Sequence, residues 1–63
     1  MSRFELYKNP QGGFRWQLRS TDGRIIAVSA EAHKTMADLM ENIATVKRET
    51  NASDIDDQTA TTF

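Results

Sequence analysis

Apolar and polar residues alternate along Phe4-Glu5-Leu6-Tyr7, and a period of two marks a strand with one covered face. Asn9-Pro10-Gln11-Gly12-Gly13 interrupts it. Proline removes a backbone donor and the glycines permit positive φ, so this stretch reads as a loop. Phe14-Arg15-Trp16-Gln17-Leu18-Arg19 then alternates strictly, and Thr21-Asp22-Gly23 turns the chain into a third strand rich in β-branched residues. After residue 35 the period changes. Met36, Leu39, Met40, Ile43 and Val46 recur at three- and four-residue spacing and form one apolar helical stripe, in which the methionines read as core filler. Thr35 suits the N-cap and Asp38 the first turn, Lys47 and Arg48 suit the last turn, and Thr50, Asn51 and Ser53 end the helix. The pattern predicts strands over residues 3–8, 14–20 and 24–29 and a helix over 35–49. This is an α+β arrangement: an antiparallel three-stranded meander packed by one helix.

Register follows from the turn. A two-residue Asp-Gly loop would set Leu18 opposite Ala27. A three-residue loop with Gly23 in the left-handed bulge position pairs Ser20 with Arg24, Leu18 with Ile26 and Trp16 with Val28. A slip of one residue turns every side chain over. Only the second loop gathers Phe14, Trp16, Leu18, Ile26 and Val28 on one face, and it is the expected one.

With 63 residues the chain makes one domain, residues 1–63, and a domain this small buries a modest share of its surface. It has no cysteine and one histidine, so neither a disulfide nor a structural zinc site props it up. Self-association remains as the way to bury more surface, and a homodimer is expected on size alone. The lack of cysteine suits a reducing compartment. Met1 leads into a strand pattern rather than a basic and then apolar leader, and no apolar run is long enough to span a bilayer. A soluble cytoplasmic protein is expected.

The overall charge is −1, unevenly spread. Residues 1–24 carry a net +3, from Arg3, Lys8, Arg15, Arg19 and Arg24 against Glu5 and Asp22. Residues 49–63 carry −4, from Glu49, Asp54, Asp56 and Asp57. Such asymmetry fits a basic binding surface with an acidic tail, or a tail that docks on its own sheet. Arg15, Arg19 and Arg24, with Arg3 and Lys8, are the residues that would meet phosphates in a nucleic-acid-binding module. The near-neutral chain favours an ordinary solvated sheet face. Trp16 and Phe14 are the residue types that stack on bases, yet their alternation with Arg15 and Gln17 assigns them to the covered face, leaving Tyr7 as the exposed aromatic.

His33 is a candidate base or ligand without a cysteine nearby, and reads as a corner residue. Asp54, Asp56 and Asp57 lack the spacing and glycine of a calcium loop. Ser20, Ser29 and Thr35 lie in no nucleophile elbow, and Gly12-Gly13 is too short for a phosphate loop. No catalytic residue, metal ligand or cofactor is assigned, and no small-molecule ligand is identified. An enzymatic reading needs a site built from two subunits, for example His33 of one and Asp54 or Asp56 of the other.

Taken together, Phe4-Glu5-Leu6-Tyr7, Gly13-Phe14-Arg15-Trp16-Gln17-Leu18, Asp22-Gly23-Arg24-Ile25-Ile26-Ala27 with Ser29, and Ile43-Ala44-Thr45-Val46-Lys47 resemble the YegP-like family of small uncharacterised proteins. The resemblance covers residues 4–48 and implies a β-β-β-α-β unit. It further implies that two units share one continuous sheet with their C-terminal strands exchanged. The weak segment over residues 54–59 would then be that strand, with Ile55, Asp56, Asp57, Gln58 and Thr59 touching the partner. This chain departs from the family pattern at the Ser29-Ala30-Glu31-Ala32-His33 corner, which is longer by one residue and has His33 in place of a tyrosine. It departs again at Asn42, where the family favours glycine and the helix is expected to stand slightly further off. The family carries no established activity. The expected function is a homodimeric structural or interaction module, with nucleic-acid binding and an interface enzyme as alternatives.

Overall fold

The computed structural model describes residues 1–60. Three strands, β1 (Arg3–Lys8), β2 (Phe14–Arg19) and β3 (Ile25–Val28), form an antiparallel sheet in the order β1-β2-β3, and α1 (Met36–Ala52) follows. Phe4 pairs with Leu18 and Leu6 with Trp16, so the alternation of both strands delivers these side chains to one face. The helix backbone comes close to β2 alone. Trp16, Leu39 and Ile43 are the buried apolar residues, with Phe4, Phe14, Leu18 and Val46 packed around them.

The helix starts as its sequence implies. Thr35 has extended backbone and its hydroxyl accepts from the Asp38 N–H at 3.1 Å. It ends later than the pattern implies, at Ala52 with Ser53 as C-cap. Thr50 does not stop it, because its hydroxyl donates back to the Val46 carbonyl at 2.7 Å, and Ser53 donates to the Thr50 carbonyl at 3.1 Å. Lys47 and Arg48 therefore sit before the last turn, which carries no base. The stripe is also narrower than its spacing suggests. Met36 and Met40 are not core filler but 43% and 49% exposed, because the helix meets one strand and its flanks overhang.

The β2–β3 turn forms as expected. Ser20 N–H donates to the Arg24 carbonyl at 2.7 Å, Gly23 N–H to the Ser20 carbonyl at 3.1 Å, and Gly23 takes φ +91°. The register beyond it corrects the sequence expectation. Arg19 pairs with Ile25, but Leu18 pairs with Ala27 and Gln17 with Val28. One extra residue, Ile26, is accommodated as a bulge. The slip places small Ala27 and Ser29, rather than Ile26 and Val28, beside Leu18 and Trp16. Ser29 is buried; its N–H donates to the Trp16 carbonyl at 2.9 Å, and its hydroxyl accepts from the Trp16 N–H at 3.3 Å. Ile25, Ile26 and Val28 are left 49%, 59% and 57% exposed on a sheet edge.

The corner docks on the start of β2 through a single antiparallel bridge. Phe14 N–H donates to the His33 carbonyl at 2.7 Å and His33 N–H to the Phe14 carbonyl at 2.8 Å. Asn9 closes the facing loop, its side-chain carbonyl accepting from the Gly13 N–H at 2.8 Å. Past Ser53 the described chain contains no strand in the single subunit. The strand that the resemblance implies over residues 54–59 is not formed there.

Candidate functional site

β2 carries both the core and the basic residues, on opposite faces. Arg15, Gln17 and Arg19 project from the face without a helix, and cross-strand pairing brings Arg3, Glu5 and Tyr7 beside them. Lys8 falls on the other face, where its ammonium lies 5.4 Å from the centroid of Phe14, its cross-strand partner. The basic cluster drawn from sequence therefore loses one member to the pleat.

Arg3 and Arg19 lie directly opposite each other, an arrangement that repels unless a counter-charge intervenes. Glu5 supplies it. One carboxylate oxygen accepts from Gln17 Nε2 at 2.9 Å and Arg19 Nε at 3.0 Å, and the other from Arg3 Nε at 3.0 Å. The Gln17 hydrogen bond, then the bond and charge of Arg19 and the bond from Arg3, hold this carboxyl below the usual glutamate range. Arg19 also donates to the Gly23 carbonyl at 2.6 Å, and Arg15 to the Ser29 carbonyl at 2.9 Å. Arg24 stands apart by the turn, 3.3 Å from Asp22, whose carboxyl is lowered by the Ser20 hydroxyl and then by the Arg24 N–H. The three arginines do not converge: two brace the sheet and one rims the hairpin.

His33 lines an open hollow of about 310 Å³ between the Asn9-to-Gly13 loop and the corner, together with Lys34 and Gln11. Among the described residues no three His, Asp or Glu side chains gather as a metal-ligand set. The acidic tail bonds to itself. Gln58 donates to Asp56 at 2.9 Å, and Thr59 donates to Asp57 through its N–H at 3.0 Å and its hydroxyl at 2.7 Å, which lowers the Asp57 carboxyl. Among the described residues no ion pair joins this tail to the arginine face.

Sequence reasoning missed the polar contact that ties the buried tryptophan to the helix. The Trp16 indole N–H donates to Asn42 Oδ1 at 2.7 Å. The signal was Asn42 itself, a polar residue one position before Ile43 of the buried stripe. Trp16 also meets Phe4 edge to face, with centroids 5.1 Å apart at 79°. Below the C-terminal half of α1, Phe4, Trp16, Leu18, Ala27 and Val46 floor a cleft of about 410 Å³ rimmed by Ser2, Lys47, Thr50 and Asn51.

A scan against family models matches residues 9–57 to the domain of unknown function DUF1508. The chain belongs to the DUF1508 family. The resemblance seen in the strand and helix motifs is thereby borne out. The UPF0339 protein Atu5359 of Agrobacterium fabrum is 32% identical over 62 residues, 98% of each chain. A UPF0339 protein of Methanosarcina acetivorans is 40% identical over 47 residues, covering 75% of this chain and 79% of the relative. Among solved structures, a Haloferax volcanii protein matches with TM-score 0.80 at 27% identity, over 89% of this chain and 93% of that one. Protein ATU0232 of Agrobacterium tumefaciens matches with TM-score 0.73 at 26% identity over the full length of both. These matches support the α+β DUF1508 fold. Neither the family model nor the named relatives assign an enzymatic activity. No helix among the described residues is long and apolar enough to cross a membrane.

Proposed function

We propose that this DUF1508 protein is a non-enzymatic structural or interaction module that works as a homodimer in the cytoplasm. One observation carries the reading: the core of the single chain is too thin for its surface. Among the described residues three apolar side chains are buried, while Leu6, Tyr7, Ile25, Ile26, Val28, Met36, Met40 and Ile55 are at least 40% exposed. Three of these lie on β3, an edge strand, where unpaired backbone groups and apolar side chains together invite another chain. A chain without cysteine suits a reducing compartment. The arginine face supports a phosphate-binding role poorly, because Arg15 and Arg19 are committed to Glu5 and main-chain carbonyls and Arg24 stands apart from them at the turn.

Sedimentation of the intact chain against a chain lacking residues 54–63 tests the reading. The intact protein should sediment as a dimer. The truncated one should shift toward monomer and melt at lower temperature, because the segment offered to the partner is gone. An intact chain that stays monomeric over the whole accessible concentration range removes the proposal.

A further inference from the structure

The hollow between the Asn9-to-Gly13 loop and the corner has two fixed sides. On the loop side the Asn9 N–H donates to the Gly13 carbonyl at 2.8 Å, the Gly12 N–H to the Asn9 carbonyl at 2.9 Å, and the Gly13 N–H to Asn9 Oδ1 at 2.8 Å. The corner side is held to β2 by the paired bonds between His33 and Phe14. The two sides meet at Gly13, where an added Cβ would stand 2.6 Å from the Ala32 Cβ. At Gly12, with φ +88°, an added Cβ would meet nothing within 4 Å, so this part of the lining is bare backbone. A site whose backbone is already ordered loses little entropy when a ligand enters.

The chemistry of the lining is one-sided. Lys34 is exposed and forms no ion pair among the described residues. His33 is half-buried and brings an imidazole N–H, and Gln11 brings an amide NH2. The Asn9 side-chain carbonyl is taken by the Gly13 N–H, which leaves its NH2 as a further donor. No carboxylate lines the hollow. A cation with neutral donors around it, and no anion of the protein among them, is the complement of a small oxyanion. The volume of about 310 Å³ lies at the small end of ligand sites, ~300–1,000 Å³, and suits a phosphate group or carboxylate on a small carrier.

We propose that this hollow binds a small oxyanion, with Lys34 as its counter-charge and His33 and Gln11 as hydrogen-bond donors. None of Arg15, Arg19 and Arg24 lines it, so the site is distinct from the arginine face. It does not rest on the dimer reading: a monomeric protein that binds the anion leaves it standing.

The intact, isotopically labelled protein is titrated at constant ionic strength with inorganic phosphate and, separately, with acetate, and its backbone amide resonances are followed by NMR. Saturable shifts centred on Gln11, Gly12, Gly13, His33 and Lys34 are the expected result. Saturation by phosphate alone assigns a phosphate group, by acetate alone a carboxylate, and by both the oxyanion class as a whole. Lys34→Gln removes the charge at an exposed position and should raise the dissociation constant about three- to fivefold, the scale of one exposed ion pair. His33→Phe keeps a flat ring and the backbone bridge, loses the donor, and should raise it at least about twofold. Lys47→Gln, whose lysine lines the cleft under α1 instead, should leave it unchanged. Melting curves of the three variants establish that binding is read on folded protein. Lack of saturation with both anions, or shifts centred on the arginine face, overturns the proposal. So does Lys34→Gln or His33→Phe binding as tightly as the parent, or Lys47→Gln weakening binding as much as Lys34→Gln.

Discussion

Trp16 joins every part of the core, so its removal tests the structural argument most directly. Its side chain is 4% exposed, meets Phe4 edge to face, packs in one cluster with Leu39 and Ile43, and donates to Asn42. Truncating a buried tryptophan to alanine costs ~3–5 kcal/mol. At ~0.05–0.15 kcal/mol per residue, a chain of this length holds about 3–9 kcal/mol in total. Trp16→Ala should therefore leave the protein largely unfolded or barely folded at room temperature. A finer variant separates packing from the hydrogen bond. Asn42 is half-buried, so Asn42→Ala should cost about 1 kcal/mol, or a fall in Tm of ~4–8 °C. Trp16→Phe keeps a ring against Phe4 and loses the donor. A double-mutant cycle of Trp16→Phe with Asn42→Ala isolates the bond, with an expected coupling of ~0.5–1.5 kcal/mol. The assay is urea and thermal unfolding followed by far-ultraviolet circular dichroism, at one fixed protein concentration because self-association shifts apparent stability. A Trp16→Ala protein that melts cooperatively within a few degrees of the parent would refute the core assignment. Zero coupling in the cycle would refute the hydrogen bond.

Glu5 is held below its ordinary range in the folded state, so its contribution to stability is full above that range and drains away as the pH falls through the folded value. Glu5→Gln should lower Tm at neutral pH, where Arg3 and Arg19 then face each other without a counter-charge, and flatten the acid limb of the Tm–pH curve; an unchanged acid limb contradicts the cluster. At Gly13 an added Cβ would stand 2.6 Å from the Ala32 Cβ, a contact that only backbone movement relieves. Gly13→Ala should cost ~1–3 kcal/mol in urea unfolding by prising the loop from the corner, and a neutral result would mean that the two are not in contact.

The elements were legible in the amino-acid order because each rests on near neighbours. Strict alternation in β2, the glycine at the β2–β3 turn and the Thr35 cap depend on contacts a few residues apart. Trp16 as core and Tyr7 as half-exposed follow from the same alternation. The site residues were only partly legible. Arg15 and Arg19 share the face that period two assigns them, but nothing local says that Glu5 and main-chain carbonyls occupy them. Arg24 projects further into solvent than Arg3 or Arg19.

What the tertiary structure decided was volume. The hydrophobic pattern of β3 asks for Ile26 and Val28 beneath the helix. The helix approaches β2 and not β3, and the bulge puts small Ala27 and Ser29, rather than Ile26 and Val28, on the helix-bearing face. The same placement leaves Met36 and Met40 overhanging the sheet and brings Asn42 within reach of the Trp16 indole. Sequence periodicity says which side chains share a face. How wide a partner covers that face, and so how many of them it buries, depends on residues far along the chain and emerges only when sheet and helix meet.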